Sequence, residues 1–479
     1  MSKDFLQALS NQTISFQFGD KRIDRRANYM IKKMAKTAGK SIPQIFCTEA
    51  DLKGAYRFFD NNLVSPEKIL EPHVAETIFR CKKQKTVLAI QDSSDLCFDY
   101  MESLEGFESM QSHVDKGFRI HPVLAITEKG TPLGVLASFN YTRDPAKETA
   151  KNRNSLPIEE KESYRWLQGY REACKLAEKV PEAEIISISD REGDIWECLT
   201  EATDATVNKP KAYILIRARH NRCLKDEKKD TDKLEKKLIR CAVAYSAQVH
   251  LSKYRKNART ANIVIRASTV FLKAPATCKK KSLSPIEINA ILVTETDPPK
   301  GVEPLNWLIM TTLPVDTLEE ILRIVELYSQ RWSIEVFFKV LKSGCQINAI
   351  RFQSTDNIEN YIALAMLVGW KVMLTTYLPR EYPEAPCTVL FTGVEWRLAF
   401  KRIYKDKPFP ELPTLKEAVG FVAMLGGYQK RKEPPGTQTI WEGILRLMDM
   451  VYGYELTQEV ILSSKLEEDK MSIKRCVQL

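Results

Sequence analysis

Residues 328–342 read YSQRWSIEVFFKVLK, and their polar side chains recur every three or four positions. This spacing predicts a helix with one polar face and apolar residues elsewhere. The polar face would carry Tyr328, Arg331, Glu335, Lys339 and Lys342. One interpretation is a solvent-exposed face with an ordinary Glu-to-Lys pair, which stabilises a helix by only about 0.2–0.5 kcal/mol. The apolar remainder of the segment instead favours a buried helix whose polar face lines a cleft.

The helix around this segment is predicted to run without interruption from Asp316 to Lys342. Thr317 is a suitable N-cap, and two glutamates follow in the first turn, where negative charge is favourable. Gly344 is expected just past the C-terminal end, the usual place for a helix-ending glycine.

Two apolar segments each end in an aspartate. TVLAIQD covers residues 86–92 and EIISISD covers residues 184–190, so Asp92 and Asp190 each follow a predicted strand. A single aspartate in this position is usually a turn or helix-cap residue. Two of them, together with Glu335, indicate a carboxylate site, because α/β sheets bind ligands at the carboxyl ends of their strands.

The chemistry of three carboxylates without a histidine cluster favours a hard divalent ion. Mg²⁺ or Mn²⁺ suits such oxygen ligands better than zinc does. Two such ions about 3.5–4 Å apart can activate an attacking oxygen and stabilise a leaving oxygen at phosphorus. The three acids therefore predict a two-metal site for phosphodiester cleavage.

Charge and cysteine content narrow the class of protein. The 479 residues include 72 Lys and Arg against 62 Asp and Glu, a net charge of +10 that favours a polyanionic partner. An ordinary basic cytosolic enzyme is equally compatible with this charge. The 11 cysteines form no CxxC pair and only 5 histidines occur, so no zinc ribbon or disulfide framework is predicted. The first residues do not resemble an export signal and no run of about 18 apolar residues occurs, so we expect a cytoplasmic protein that spans no membrane.

The remaining pattern predicts an α/β core. Three successive antiparallel strands are expected at residues 86–92, 118–127 and 132–142, and a helix over 159–180 leads into the strand at 184–190. A charged block at about residues 205–312 contains five further strand candidates: AYILIRARH, YSAQVHLS, ANIVIRAS, IEINAILVTE and NWLIMTT. We interpret this block as a β-rich insertion with basic loops between two parts of the core.

Both ends of the chain are predicted to be helical. Residues 1–80 begin with a basic run in which Arg22 and Arg26 are four apart and share one helix face. Such a face is either simply solvated or binds DNA. Residues 376–479 are expected to form a C-terminal helical domain, after a break in helicity near residues 378–386.

The motifs together resemble those of the DDE transposases of the insertion-sequence-four family. Their signature is tyrosine, two residues, arginine, three residues, glutamate, six residues and lysine, and Tyr328, Arg331, Glu335 and Lys342 match it without a gap. The resemblance extends from about residue 18 to 375 and includes the segments AIQDSS, SDREGDIW, DPPKGVEPLNWL, GDKRIDRR, GAYRFFDN and RFQSTDN.

The resemblance implies a fold. It predicts a helical DNA-binding domain at residues 1–80 and a ribonuclease-H-like catalytic domain at 81–375, interrupted by the β-rich insertion. Residues 376–479 would form a helical dimerisation domain. The protein would bind double-stranded DNA, at transposon ends and target, as a homodimer that holds two ends together.

The resemblance also implies residue roles. Asp92, Asp190 and Glu335 correspond to the catalytic metal triad, which would hold two Mg²⁺ or Mn²⁺ ions. The other matched positions are expected to contact DNA: Tyr328, Arg331, Lys339, Lys342, Arg217, Trp307, Arg22, Arg26, Arg57, Arg351 and Asn357. Trp307 would stack near an extruded base, although packing within the strand NWLIM is an equal alternative. Relatives have paired arginines where this chain has Arg22 followed by Ile23, so its end-recognition sequence is expected to differ.

The function expected from these roles is cut-and-paste transposition. The protein would nick the transposon ends, form and reopen a hairpin, and join the 3′ ends to target DNA at one metal site. Two alternatives are a stand-alone nuclease of the same fold and a DNA-binding regulator that sequesters ends. Inverted terminal repeats beside the gene would distinguish a transposase from a nuclease.

Overall fold

The computed structural model describes residues 3–10, 15–37, 39–98, 117–141, 156–204, 206, 210–225, 233–251, 259–275, 284–352, 354–429 and 433–477. The chain divides into two compact units. The sheet unit comprises His73–Phe338 and Gln353–Thr355, and the helical unit comprises Met1–Pro72, Lys339–Phe352 and Asp356–Leu479.

The described residues contain ten strands, all in one sheet. They are β1 Thr86–Gln91, β2 Ser94–Cys97, β3 Gly117–Ile126, β4 Pro132–Tyr141, β5 Glu184–Ser189, β6 Tyr213–Arg217, β7 Tyr245–Leu251, β8 Arg259–Leu272, β9 Ile286–Glu295 and β10 Asn306–Thr311. The helices of the described residues are α1 Lys3–Ser10, α2 Lys21–Thr37, α3 Ile42–Ile45, α4 Glu49–Phe59, α5 Pro66–Cys81, α6 Tyr164–Lys179, α7 Trp196–Thr203, α8 Leu234–Arg240, α9 Leu318–Ser329, α10 Trp332–Lys339, α11 Thr355–Glu381, α12 Gly393–Tyr404, α13 Leu415–Leu425 and α14 Thr437–Val477.

The centre of the sheet is a parallel trio of buried strands. The strand order is β2-β3-β1-β5-β6-β10-β9-β8-β7, with β4 paired to β3. β1 and β6 both run parallel to β5, and the other pairs are antiparallel. All six residues of β1 are buried, as expected for a strand covered on both faces. The predicted antiparallel series of β1, β3 and β4 is confirmed, whereas the four-residue strand β2 was not predicted.

The strands predicted in the charged block all form, and they extend the central sheet. β6 pairs with β5, β10 pairs with β6, and β9, β8 and β7 follow in antiparallel order. The block therefore continues the sheet by non-local pairing between β6 and β10. Most of its basic loop residues, at 226–232, 252–258 and 276–283, lie outside the described residues.

The prediction of one continuous helix from Asp316 to Lys342 is wrong. α9 begins as predicted, with Thr317 and Glu320 in a reciprocal capping box, but it ends at Ser329. The N–H groups of Gln330 and Arg331 bond to carbonyls three residues back, so the chain tightens there before α10 begins. A π-helical turn, Val340–Gly344, follows α10, so Gly344 ends this turn instead of following an α-helix.

The helical unit contains α1 to α4 and α12 to α14, with most of α11 at its centre. The predicted helicity of both ends of the chain is confirmed in the described residues. α11 continues through Pro379 to Glu381, so the predicted break begins later than residue 378. This helix is long and apolar enough to cross a membrane, but 89% of its most apolar window is buried within the protein. Such burial is typical of a core helix.

Candidate active site

The first two acids of the site lie at the ends of neighbouring parallel strands. In the pairing of β1 with β5, Ile90 lies opposite Ile188, so Asp92 and Asp190 follow at the same register position. Asp92 accepts a hydrogen bond from the N–H of Ser93 at 2.7 Å. Asp190 caps the 3₁₀ turn Arg191–Gly193 by accepting from the N–H of Glu192, also at 2.7 Å. The fold therefore presents both carboxylates at one edge of the sheet.

The third acid is linked to this edge by an arginine. Arg331 lies in the tight turn between α9 and α10, and its Nη1 donates to Asp92 Oδ2 at 3.2 Å. Its Nη2 donates to Glu335 Oε1 at 2.5 Å. The side chains of Arg331 and Asp92 are 18% and 17% exposed, so this pairing is largely shielded from water. The helix break thus brings Asp92, Arg331 and Glu335 together.

The carboxylates are not fully neutralised by this arginine. The pKa of Asp92 is raised to about 7, chiefly by burial and then by the negative charge of Asp190, with a smaller contribution from Glu335. Burial also raises the pKa of Asp190. A raised acid pKa means that the site disfavours the charged carboxylate, so an added cation would be stabilised there.

The described residues hold no ready-made group of three Asp, Glu, His or Cys side chains around one metal position. A physical reason for this absence is Arg331, because its guanidinium bridges two of the acids, Asp92 and Glu335. The donors themselves are the carboxylate oxygens that Mg²⁺ and Mn²⁺ prefer. The residues fit such ions by charge and chemistry.

A second group of polar atoms lies near this site without partners. The hydroxyl of Tyr328 and the Nε of Arg217 are buried and make no hydrogen bond. Arg217 uses its Nη2 to bond the carbonyl of Asn306 at 2.8 Å. Burial raises the pKa of Tyr328 to about 12 and lowers the pKa of Arg217. The negative charge of Asp190 acts on both groups. Two buried donors without acceptors are suited to an anionic ligand such as a phosphate.

Trp307 packs against this pair. Its ring meets the ring of Tyr328 edge to face, with 5.4 Å between the centroids. The indole is half-buried on β10, opposite Val293 of β9. Trp307 therefore packs on the sheet and borders Tyr328, and its stacking near an extruded base stays a prediction.

The remaining predicted DNA contacts belong to the helical unit. Lys339 is exposed at the end of α10, and Lys342 is half-buried in the π-helical turn. Arg57 and Arg351 are exposed. Asn357 is buried, and its amide donates to Asp60, so its side chain is directed into the protein.

The predicted basic helix α2 forms one wall of a concave surface. Arg22 is 83% exposed and pairs with Asp20 at 2.7 Å. Arg26 pairs with Asp51 at 3.5 Å. A depression of about 370 Å³ is lined by Arg22, Arg25, Arg26, Tyr29 and Asp51. The sequence did not single out Tyr29 or Asp51, because they lie on different helices and meet only in the fold.

Sequence reasoning also missed a buried acid beside the second aspartate. Asp194 accepts from the N–H groups of Arg219 and His220 at 2.8 and 2.9 Å. It also pairs with the buried Arg222. Asp194 thereby ties the segment after β5 to the loop after β6. Its place in the SDREGDIW segment was the only signal available.

Comparison with known families identifies three successive domains. A family described as transposase DNA-binding matches residues 7–64, and one described as transposase DDE domain matches residues 201–368. A family described as transposase Tn5 dimerisation domain matches residues 367–460. The DDE match includes Tyr328, Arg331 and Glu335 but begins after Asp92 and Asp190.

This succession of a DNA-binding domain, a catalytic DDE domain and a dimerisation domain is that of a DNA transposase. The chain belongs to the Tn5-type DDE transposases. The resemblance seen in the sequence is thus confirmed. DDE transposases generally use divalent metal ions, in keeping with the acidic site.

Proposed function

We propose that this transposase moves its element by cut-and-paste transposition, with Asp92, Asp190 and Glu335 as the metal ligands. The proposal rests above all on register: Asp92 and Asp190 end adjacent parallel strands, and Arg331 joins Asp92 to Glu335. The core would be ribonuclease-H-like, interrupted by the β-rich insertion at about residues 205–312. The domains would lie at about residues 1–80, 81–375 and 376–479, and the protein would act in the cytoplasm.

Two bound Mg²⁺ or Mn²⁺ ions would stabilise the attacking and leaving oxygens at phosphorus. Asp92, Asp190 and Glu335 would hold them at the carboxyl ends of β1 and β5 and in α10. In the DNA-free protein, Arg331 pairs with Asp92 and Glu335. On DNA binding, its guanidinium is proposed to exchange these partners for a phosphate, the other anion that its planar donors fit.

The buried donors beside the carboxylates would bind the strand that is cut. Tyr328 and Arg217 each hold an unpaired donor close to Asp190. A phosphate oxygen would satisfy both. Trp307 borders these donors and would stack near a base extruded when a hairpin forms, a contact worth about 1–3 kcal/mol.

The positively charged side chains of the helical unit would bind DNA outside the cut site. We assign Lys339 and Lys342 to the terminal phosphates. Arg22, Arg26, Arg57 and Arg351 are assigned to the transposon end. Asn357 would act through Asp60, since its amide already bonds that carboxylate. The dimerisation domain favours a homodimer that pairs two double-stranded ends over a stand-alone nuclease.

The test is cleavage of duplexes that carry the inverted repeats beside the gene. Replacing Asp92, Asp190 or Glu335 singly with Asn or Gln should reduce Mg²⁺-dependent cleavage at least about 1,000-fold, the scale of losing a group that stabilises transition-state charge. Binding of the same duplexes should be nearly unchanged. A denaturing gel would separate nicked, hairpin and fully cut products.

The matched control is Glu326→Gln, which neutralises an exposed acid on α9. It should cleave at the normal rate. Full cleavage by any one of the three active-site variants would remove that residue from the metal site. Simple nicking by the unmodified protein, with no hairpin from paired ends, would contradict the hairpin step.

A further inference from the structure

A chain of buried hydrogen bonds lies beneath the two aspartates. Ser93 Oγ is 2.9 Å from His121 Nδ1, and His121 Nε2 is 3.0 Å from Gln91 Oε1. Gln91 Nε2 donates to Ser187 Oγ at 3.2 Å. His121 is fully buried, and Gln91 and Ser187 are each 2% exposed. From His121 on β3 through Gln91 on β1 to Ser187 on β5 the chain is shielded from water, whereas Ser93 is half-buried.

The direction of each bond in this chain is fixed by its ends. Arg165 can only donate, so Ser93 Oγ accepts from its Nε at 2.8 Å. Gln91 Oε1 can only accept, so His121 donates from Nε2. Burial lowers the pKa of His121 far below its usual range, so the ring is neutral and its Nδ1 accepts the Ser93 hydroxyl proton. Every group in the chain has a compatible partner.

Arg165 connects this chain to both aspartate loops. Its Nη2 donates to Glu192 Oε2 at 2.6 Å, and its Nη1 donates to the carbonyl of Glu162 at 2.6 Å. Ser93 and Glu192 are also the residues whose N–H groups bond Asp92 and Asp190. One guanidinium, with a side chain only 6% exposed, thus holds the segment after each acid.

The surrounding packing leaves this arrangement little freedom. The His121 ring meets Trp166 edge to face, with 4.7 Å between centroids. Arg165 lies over the ring of Tyr141, 5.3 Å from its centroid. A Cβ at Gly169 would come within 2.1 Å of Gln91 Oε1, so α6 approaches Gln91 closely because residue 169 is glycine.

We propose that Arg165 and Ser93 are positioning residues that set the separation of the Asp92 and Asp190 carboxylates for metal binding. This inference rests on the proposed metal site. Groups that orient metal ligands from behind commonly change metal affinity about 10–100-fold when they are removed. Arg165 is buried and already has three acceptors, so its role is separate from binding DNA.

The probe is Mn²⁺ alone, added to the full-length protein and followed by the electron paramagnetic resonance signal of the free ion. Ser93→Ala and Arg165→Gln should each raise the apparent dissociation constant about 10–100-fold. Ser93→Thr keeps the hydroxyl and should restore normal affinity. Far-ultraviolet circular dichroism and DNA binding should be unchanged in all three.

The control variant is Arg171→Gln, which breaks an ion pair between α6 and Glu201 away from the aspartates. Its Mn²⁺ affinity should stay normal. Equal loss in Arg171→Gln would overturn the positioning role, since any damage to α6 would then suffice. Normal affinity in both Ser93→Ala and Arg165→Gln would also overturn it.

Asp92→Asn separates this inference from the function on which it rests. It should lose Mn²⁺ binding. Normal Mn²⁺ affinity in Asp92→Asn would overturn the metal site and the positioning role together. Loss in Asp92→Asn with normal affinity in Ser93→Ala and Arg165→Gln would overturn the positioning role alone. If Arg165→Gln does not fold, Ser93→Ala and Ser93→Thr decide the outcome.

Discussion

The strands β1 and β5 have an arginine bound at each end, and the two arginines differ in their surroundings. At the amino ends, Arg323 of α9 bonds Glu128, Glu184 and Thr86. At the carboxyl ends, Arg331 bonds Asp92 and Glu335. Both sites therefore consist of one guanidinium between two carboxylates.

Burial distinguishes the two sites. Arg323 and its partner Glu128 are 38% and 42% exposed, so water screens their charges. Arg331 and Asp92 are less than half as exposed, and a third carboxylate, Asp190, adds its charge there. The pKa of Asp92 rises to about 7 as a result. Arginine and carboxylates thus tie α9 to the sheet at Arg323. At Arg331 the same residue types leave negative charge that is not balanced.

The largest expected effect separates the two arginines by function. Arg331→Ala should reduce cleavage of the paired ends about 100–1,000-fold, because a donor to the reacting phosphate is lost. Arg323→Ala should cleave normally and lose at most about 1 kcal/mol of unfolding free energy, as expected for a partly exposed ion pair. Cleavage rates and urea unfolding of both variants provide the comparison. Equal cleavage by the two variants would show that burial does not distinguish the sites.

A smaller effect concerns stability alone. Tyr328→Phe removes a buried hydroxyl that has no partner, so the DNA-free protein should become more stable by about 1 kcal/mol. Tyr170→Phe is the control, because the hydroxyl of Tyr170 donates to the carbonyl of Ala212 at 3.1 Å. Its loss should destabilise the protein by about 1 kcal/mol. Urea unfolding measures both, and a destabilised Tyr328→Phe would mean that its hydroxyl has a partner in solution.

The local parts of this site could be predicted from the sequence. The strands before Asp92 and Asp190 follow from two short apolar runs, and the cap at Thr317 follows from residue type. The tight turn at Gln330 and Arg331 could not be predicted, since neither residue is a glycine or proline and the apolar pattern continues through it. From that turn Arg331 bonds Asp92, which lies 239 positions away in the chain.

The non-local parts could not be predicted. The bonds of Arg165 join residues 72 and 27 positions away, and no local pattern marks such pairs. The extension of the sheet through β6 and β10 likewise depends on pairing across 92 or more residues, which strand propensity does not specify. Depth of burial, which separates Arg331 from Arg323, also depends on the whole fold.

The central claim is that Asp92, Asp190 and Glu335 together hold the metal ions that cut DNA. Its most direct test is a crystal structure of the full chain with its paired terminal duplexes and Mn²⁺, using anomalous scattering to locate the ions. We expect two manganese positions bound by these three carboxylates, with Arg331 moved from Asp92 to a phosphate. Manganese bound elsewhere, or an Arg331 that still bridges Asp92 and Glu335 beside the cut strand, would contradict the account.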